Sequence, residues 1–341
     1  MAVRYEVLPF EPAHATLHMR ITERAYAPIP AHARPTHDET FHHRMHDASN
    51  PAGPSIVAIA SEGGREVAML SAVPFRFRTR AGLMLNAYQP TALVVDPAVG
   101  ARGIGHGVFR TIVEAVAARD RSLVYAYPNQ RSAGLCRKIG FIPVQTVPTQ
   151  LFPRFRFSAR GDGTHRGPGG RRWAFRRVRD PLELRAAIPE DSPAETTGFI
   201  RDRANFEWRF GGPAAARYTL VLCEAENPRD SFAIACIEHH MKGLPFTVLV
   251  DGYPASFVRH FATAVQAAAA AAGRVGPRVV FASTNLPSLE IGAREPFPRP
   301  IVVPTRFHPR PIDLVSYPTP ANPDAGELRA AVAMTGDWLG F

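Results

Sequence analysis

Cysteine is scarce in this chain of 341 residues: Cys136, Cys223 and Cys236 are the only three. They are too few and too scattered for a disulfide framework or a zinc site, so a reduced, cytoplasmic protein is the expectation. Long apolar runs are missing too. The least polar stretch, Ala262 to Gly273, is alanine-rich and too short to span a bilayer, and no membrane association is expected. The opening Met1-Ala2-Val3-Arg4-Tyr5-Glu6 lacks the charged-then-apolar order of a signal peptide. Lysine is almost absent, since Lys138 and Lys242 are the only two among 40 basic residues. With 33 Pro and 26 Gly, the arginine excess reads as the codon bias of a GC-rich genome, so the net charge of +10 is weak evidence for an anionic partner. One local excess stands out. Between Arg154 and Arg179 there are nine Arg and a single acid, Asp162. Such a segment can contact nucleic-acid phosphates, although a solvated linker has the same composition.

Periodicity organises what remains. Tyr5 to Pro9 reads as a strand and Glu11 to Tyr26 as a helix, followed by a Pro- and His-rich loop (Ala27 to Pro35) and a short helix (Asp38 to His46). Ser55 to Ala60, Glu66 to Phe77 and Leu83 to Val95 are strand-like. Gly63-Gly64 and Ala81-Gly82 separate them, which favours antiparallel pairing. Ile104, Val108, Ile112 and Val116 recur every fourth residue, the buried stripe of an amphipathic helix. Leu123 to Tyr127 is strand-like, Ser132 to Ile139 helical with Gly140 as its cap, and Phe141 to Val147 a further strand. Ser158 to Gly170 holds five Gly and no large aliphatic residue, as a linker does.

The second half repeats this plan more weakly. Arg217 to Glu226, Ser231 to His240 and Pro245 to Asp251 are successive strands, Pro254 to Ala272 a helix, and Arg278 to Ala282 and Ile301 to Thr305 further strands. The predicted class is α+β, with two domains each built on a mixed, mostly antiparallel sheet flanked by helices. The first covers 1–157, a linker 158–170, and the second 171–341.

The chemistry concentrates where the third strand meets the helix. Val95-Asp96-Pro97 is followed by Arg102-Gly103-Ile104-Gly105-His106-Gly107. A glycine turn at a helix N-terminus offers unpaired backbone N–H groups and the positive end of the helix dipole, a site for phosphate or pyrophosphate. A dinucleotide-binding turn has similar glycine spacing, but it would open the first βαβ unit and place an acid after the next strand. Here an antiparallel meander precedes the turn and Tyr127-Pro128-Asn129 follows the next strand.

In these features the chain resembles the GNAT superfamily of acyl-CoA-dependent N-acyltransferases. The resemblance rests on Val95-x-Pro97, on Arg102-x-x-Gly105-x-Gly107, and on Asn129, Ser132, Leu135, Lys138 and Gly140-Phe141 in the next helix. It covers residues 1 to 155. Asp251-Gly252-Tyr253-Pro254 holds the corresponding place in the second half, but no glycine loop follows it. A tandem architecture with one degenerate copy is therefore expected.

The resemblance implies acetyl-CoA or another acyl-CoA as co-substrate. Amides of Arg102, Gly103, Ile104, Gly105, His106, Gly107 and Val108 would hold its pyrophosphate, with the Arg102 side chain nearby. Amides near Val94 and Val95 would bind the pantetheine and polarise the thioester carbonyl, and Asn129 and Ser132 would meet the pantetheine arm. A small-molecule amine would attack the thioester directly. One position departs from the pattern: where many relatives carry a Tyr that protonates the leaving thiolate, this chain has Cys136. Tyr127 and Tyr88 are the alternative acids, while Glu39 and His42 are weak candidates for a base.

Several other residues carry a structural and a functional reading at once. His42, His43 and His46 share a helix face but have no further ligand, so surface histidines are expected and no metal. Glu238, His239 and His240 end a strand, where one of them could face a cleft. Glu207 and Arg209 could line an acceptor pocket, whereas Trp208 and Phe210 are expected to pack. Two further functions remain open: an aminoacyl-tRNA-dependent transferase, favoured by the basic segment, and a non-catalytic acyl-CoA-binding module, favoured by Cys136.

Overall fold

The computed structural model describes residues 2–28, 49–100, 102–153, 164–166, 171–189, 198–212, 217–241, 244–271, 279–283, 301–302, 312–320 and 325–330. Most of the loop expected over 27–35, the helix expected over 38–46 with Glu39 and the three histidines, and most of the 158–170 linker lie outside the described residues. No described helix is long and apolar enough to cross a membrane.

The chain forms two compact units. The first comprises Met1–Gln145 and Asp313–Arg329, the second Thr146–Ile312 and Ala330–Phe341. This corrects the division at 157, and it returns part of the C-terminal half to the first unit.

The first unit contains β1 (Val3–Pro9), α1 (Pro12–Tyr26), β2 (Ile56–Glu62), β3 (Arg65–Arg78), β4 (Met84–Val95), α2 (Ile104–Ala117), β5 (Ser122–Ala126), α3 (Gln130–Ile139) and β6 (Ile142–Val147). Its sheet runs β1-β2-β3-β4-β5, then a strand from the far end of the chain, then β6. Gly63 and Gly64 (φ 59° and 79°) make the β2–β3 turn and Gly82 (φ 83°) the β3–β4 turn, left-handed conformations that a Cβ would strain. β1 to β4 pair antiparallel. β4 and β5 pair parallel, through a crossover that contains α2.

Helices cover both faces, which is why Ile56 to Ala60 is apolar without alternation. On one face, Ile104, Val108, Ile112 and Val116 of α2 pack on Ala58, Leu70 and Val124. On the other, Leu17 and Ile21 of α1 pack on Val57, Ile59, Met69 and Val94. The four-residue stripe is the feature that fixed α2 correctly.

The second unit contains β7 (Thr149–Pro153), β8 (Thr164–Arg166), β9 (Arg172–Val178), the short β10 (Gly198–Phe199), α4 (Arg203–Phe210), β11 (Thr219–Ala225), β12 (Phe232–Met241), β13 (Leu244–Tyr253), α5 (Phe261–Ala271), β14 (Val279–Ser283) and β15 (Ile301–Val302). Its sheet order is β8-β9-β11-β12-β13-β14-β7-β15. β11 to β13 form an antiparallel meander, and β13 and β14 are parallel. The plan of the first unit is thus repeated. The helix expected from Pro254 begins instead as a 3-10 turn, Ala255–His260, and becomes α-helical only at Phe261.

The strand missing from the first sheet is β16 (Ile312–Tyr317), antiparallel to β5, and it is followed by the short helix α6 (Ala325–Ala330). In the second sheet the same place, beside β14, is taken by β7. Each sheet is therefore completed by chain that lies next to the other unit in sequence.

Candidate functional site

The pairing of β4 with β5 stops early. It holds from Asn86↔Ser122 to Tyr88↔Val124, while β4 continues to Val95. The two strands part over that last stretch, so one edge of β4 has no ladder partner on that side. Asp96 N–H donates to Val67 O at 2.7 Å and Val95 lies opposite Ala68. That makes Ala68/Val95 a non-hydrogen-bonded pair, with the Val95 N–H and C=O turned away from β3 toward the edge that β5 has left. Val94, by the same alternation, faces β3. Of the two amides expected to meet the pantetheine, the open edge presents that of Val95.

The turn after β4 is built by Asp96. Its carboxylate accepts from Ala98 N–H at 2.9 Å, an Asx turn that starts a 3-10 turn over Pro97–Val99. The same buried carboxylate holds Arg24 at 3.0 Å and Arg65 at 3.1 Å. Gly103 then caps α2 with φ 77°, and a Cβ there would meet nothing within 4 Å. The space above the cap is open, as a phosphate cradle requires.

The donor set is narrower than the sequence implies. Gly107 N–H is already bonded to Gly103 O at 3.0 Å, and Val108 is buried inside the helix. Gly103, Ile104, Gly105 and His106 supply the N–H groups with no acceptor one turn back. Gly105 and Gly107 have packing reasons to be glycine. A Cβ on Gly105 would reach Val95 Cγ2 at 3.3 Å, and one on Gly107 would enter the Tyr5 ring, 2.6 Å from Cε1. The Arg102 side chain does not point at the loop's open space. Its guanidinium forms a bidentate pair with Glu62, at 2.8 and 2.6 Å, and Nε donates to Val99 O. Each member of the pair stabilises the charge of the other, which raises the Arg102 pKa and lowers that of Glu62.

Asn129 caps α3. Its Oδ1 accepts from Ser132 N–H at 3.0 Å while its own N–H donates to Ser132 Oγ at 2.9 Å, so the pair expected to meet the pantetheine also forms the helix start. Gly140 (φ 108°) closes the helix as expected.

The three candidate acids differ sharply in setting. Cys136 is buried under α3 among Phe109, Phe141 and Val113, and burial pushes its thiol up to about 12. So placed, the thiol packs in that core and keeps its proton near neutral pH. Tyr88 belongs to the α2-side core, and its hydroxyl accepts from Arg119 Nη1 at 3.2 Å. Tyr127 is half-buried just past the end of β5, edge-on to the Tyr125 ring at 5.9 Å. Tyr125 in turn reaches Gln89 Oε1 at 3.4 Å, across the point where the strands part.

The second unit keeps the scaffold without the loop. Asp251, at the place of Asp96, is buried and grips Arg201 Nε at 2.8 Å and Arg209 Nη1 at 2.7 Å. A Cβ on Gly252 would lie 2.6 Å from the Phe257 ring, so apolar packing occupies the end of β13. Arg209 is therefore committed to Asp251, and Glu207 to a bidentate pair with Arg185. Trp208 and Phe210 are buried as expected. Glu238 is exposed, and the side chains of His239 and His240 lie outside the described residues. In the basic segment, Arg171 pairs with Asp230, Arg176 with Glu183, and Arg177 donates to Ala271 O. Among the described residues no cluster of His, Cys, Asp and Glu could hold a metal ion.

Sequence reasoning missed Glu62, Arg24, Arg65 and His18, all of which brace this site. Asp96 alone left a legible signal, the Asp-Pro-Ala order of an Asx turn.

No family model and no curated protein sequence matches the chain. Solved structures do. A GCN5-related N-acetyltransferase from Anabaena variabilis matches over 92% of this chain and 72% of its own, with a TM-score of 0.57 at 11% identity. A tandem GNAT protein from the clavulanic acid biosynthesis pathway matches over 94% and 100%, with a TM-score of 0.52 at 14% identity. The N-myristoyltransferase of Saccharomyces cerevisiae, solved with myristoyl-CoA, matches over 92% and 82%, with a TM-score of 0.50 at 12% identity.

Proposed function

We propose that this chain, which has the tandem GNAT fold, is an acyl-CoA-dependent N-acyltransferase with one reaction centre, located in the first unit. The observation that carries this reading is the parting of β4 from β5 directly below a glycine-capped helix N-terminus. Gly103 to His106 would take the pyrophosphate, and the open edge of β4 would bind the pantetheine as an added strand would. At these identities the likeness to known acyltransferases supports the fold, and the activity rests on the site.

The reaction is attack of a neutral amine on the thioester carbonyl carbon. A C–N bond forms, the C–S bond breaks, the thiolate leaves, and the amine nitrogen sheds one proton to solvent water. Charge builds on the carbonyl oxygen, where N–H groups fixed in place stabilise the transition state more than they would in water. Holding the amine against the thioester supplies much of the remaining rate. Tyr127 is our candidate for returning a proton to the thiolate, since Tyr88 and Cys136 are committed to the α2-side core. The acyl group we favour is acetyl. Gln89 and Tyr125 are both buried and meet at the floor of the parted strands, with Phe75 edge-on to the Tyr125 ring at 6.4 Å. The acceptor proposed is a small-molecule amine.

Calorimetry with CoA and acetyl-CoA, followed by thiol-release assays over a panel of amines, tests this reading. Acetyl-CoA should bind the native chain, and Gly103→Asp, whose side chain enters the open space above the cap and whose residue type tolerates the left-handed φ, should abolish binding by setting a carboxylate in the anion site. Absence of CoA binding, or equal binding by the variant, would overturn it. Binding without turnover of any amine would favour a non-catalytic acyl-CoA-binding module. Salt-sensitive tRNA binding with weak CoA affinity would favour the aminoacyl-tRNA reading.

A further inference from the structure

β4 contains a bulge between its paired stretch and its open end. The register passes from Met69↔Val94 to Ser71↔Thr91, so Ala92 and Leu93 stand opposite Leu70 alone. Ala92 takes φ 59°, left-handed backbone that residues with a Cβ rarely adopt. A conformation of this kind persists only where its surroundings enforce it.

The enforcing group is on α1. His18 is buried, and its Nε2 lies 2.7 Å from Ala92 O. A carbonyl oxygen only accepts, so Nε2 carries the proton and donates. The other ring nitrogen, Nδ1, is 3.2 Å from Thr22 Oγ1 one turn along the helix, which fixes the ring plane. The Ala92 carbonyl is thereby held out of the ladder, toward α1. A trans peptide is rigid, and its N–H points opposite to its C=O. Fixing the Ala92 oxygen therefore fixes the direction of the Leu93 N–H, and Leu93 shares the parity of Val95 along β4, the positions turned from β3.

We propose that His18 is a positioning residue for acyl transfer: by clamping the Ala92–Leu93 peptide it aims the Leu93 N–H at the thioester carbonyl oxygen. This rests on the acyl-CoA reading above. His18 touches no reacting atom. Its effect passes through one peptide plane, and it differs from simple packing because it requires a donor at Nε2.

The test needs no identified acceptor. Carbonyl-13C-labelled acetyl-CoA is bound to the native chain, to His18→Leu, which keeps apolar bulk without a donor, and to His18→Gln, whose amide can donate. In the native complex the carbonyl resonance should move downfield of free acetyl-CoA, as an oxygen held by a donor requires. His18→Leu should keep acetyl-CoA affinity within about threefold, because the pyrophosphate loop is untouched, yet lose most of that shift. His18→Gln should restore it. With an acceptor in hand, kcat should fall roughly 10- to 100-fold in His18→Leu while KM for acetyl-CoA holds. An unchanged resonance in His18→Leu would overturn the proposal, as would failure of both variants to fold, which would make His18 a packing residue only. If the native chain binds no CoA, it is the acyl-CoA reading that fails, and calorimetry shows this before any variant is made.

Discussion

Ending the chain before residue 312 should unfold the first unit, although its sequence up to Gln145 would be intact. The removed segment supplies β16 and α6. Leu314, Val315 and Leu328 are buried, and Val315 joins the core beneath α2. Each such side chain contributes about 1.5–3 kcal/mol on burial, so the three together are worth about 5–9 kcal/mol. Ser316 Oγ to Val124 O (3.2 Å), Thr319 Oγ1 to Ser122 O (2.8 Å) and Arg329 Nε to Val144 O (3.0 Å) tie the segment to the strands it joins, each adding about 0.5–1.5 kcal/mol net. A domain has only about 5–15 kcal/mol to lose. The loss also strips β5 of one ladder partner, and β5 is one wall of the parted strands. A chain ending at residue 311 should therefore show no protected β5 amides in hydrogen exchange and no CoA binding by calorimetry, and a peptide covering 308–330 should restore part of both. Full CoA affinity in the truncated chain would refute the argument.

Three further outcomes follow from the packing. Cys136→Ala should leave turnover within about threefold and cost about 1–2 kcal/mol of stability for the small cavity, measured by urea denaturation; a hundredfold fall in kcat would restore the thiol as a catalytic group. Asp251→Ala should destabilise the second unit by about 3–5 kcal/mol, because two buried guanidiniums lose their shared counter-charge, and a calorimetric scan showing no shift would contradict this. Burial lowers the pKa of His260 below its usual 6.5, against the opposing pull of Asp230 at 3.8 Å. The unfolded chain therefore takes up its proton first as the pH falls. The contribution is full above pH 6.5 and is lost as the pH drops through 6.5 toward the folded value. His260→Phe, which keeps the stack on Phe232, should flatten the stability slope between pH 5 and 6.5; an unchanged slope would refute it.

Local signals carried much of the reading. The spacing of Ile104, Val108, Ile112 and Val116 located α2, and Gly63-Gly64 and Gly82 located two hairpin turns, because helical period and left-handed φ depend on near neighbours only. The glycine loop and Asn129 were legible for the same reason. Their finer roles were not. Gly107 is glycine because the Tyr5 ring lies against it, and Arg102 is held by Glu62, 40 residues away. Cys136 at the departing position and Tyr88 and Tyr127 as its replacements were legible as candidates, but the burial of Cys136 and Tyr88 was not. His18 gave no signal, since nothing in the local pattern separates it from His14, one turn earlier on the same helix.

By itself, then, the sequence determined the class of fold, the repeat, the position of the glycine turn at the helix start and the absence of that turn from the second copy. All of these are written in periodicity and in residues a few positions apart. Tertiary structure alone decided which strand completes which sheet, which amides of β4 face the open edge, and which polar side chains are held by partners within their own unit. β16 lies nearly two hundred residues from the strand it pairs with, and nothing local in Ile312–Tyr317 selects its place between β5 and β6. Register and long-range pairing depend on which surfaces meet in three dimensions, and no local rule encodes that choice.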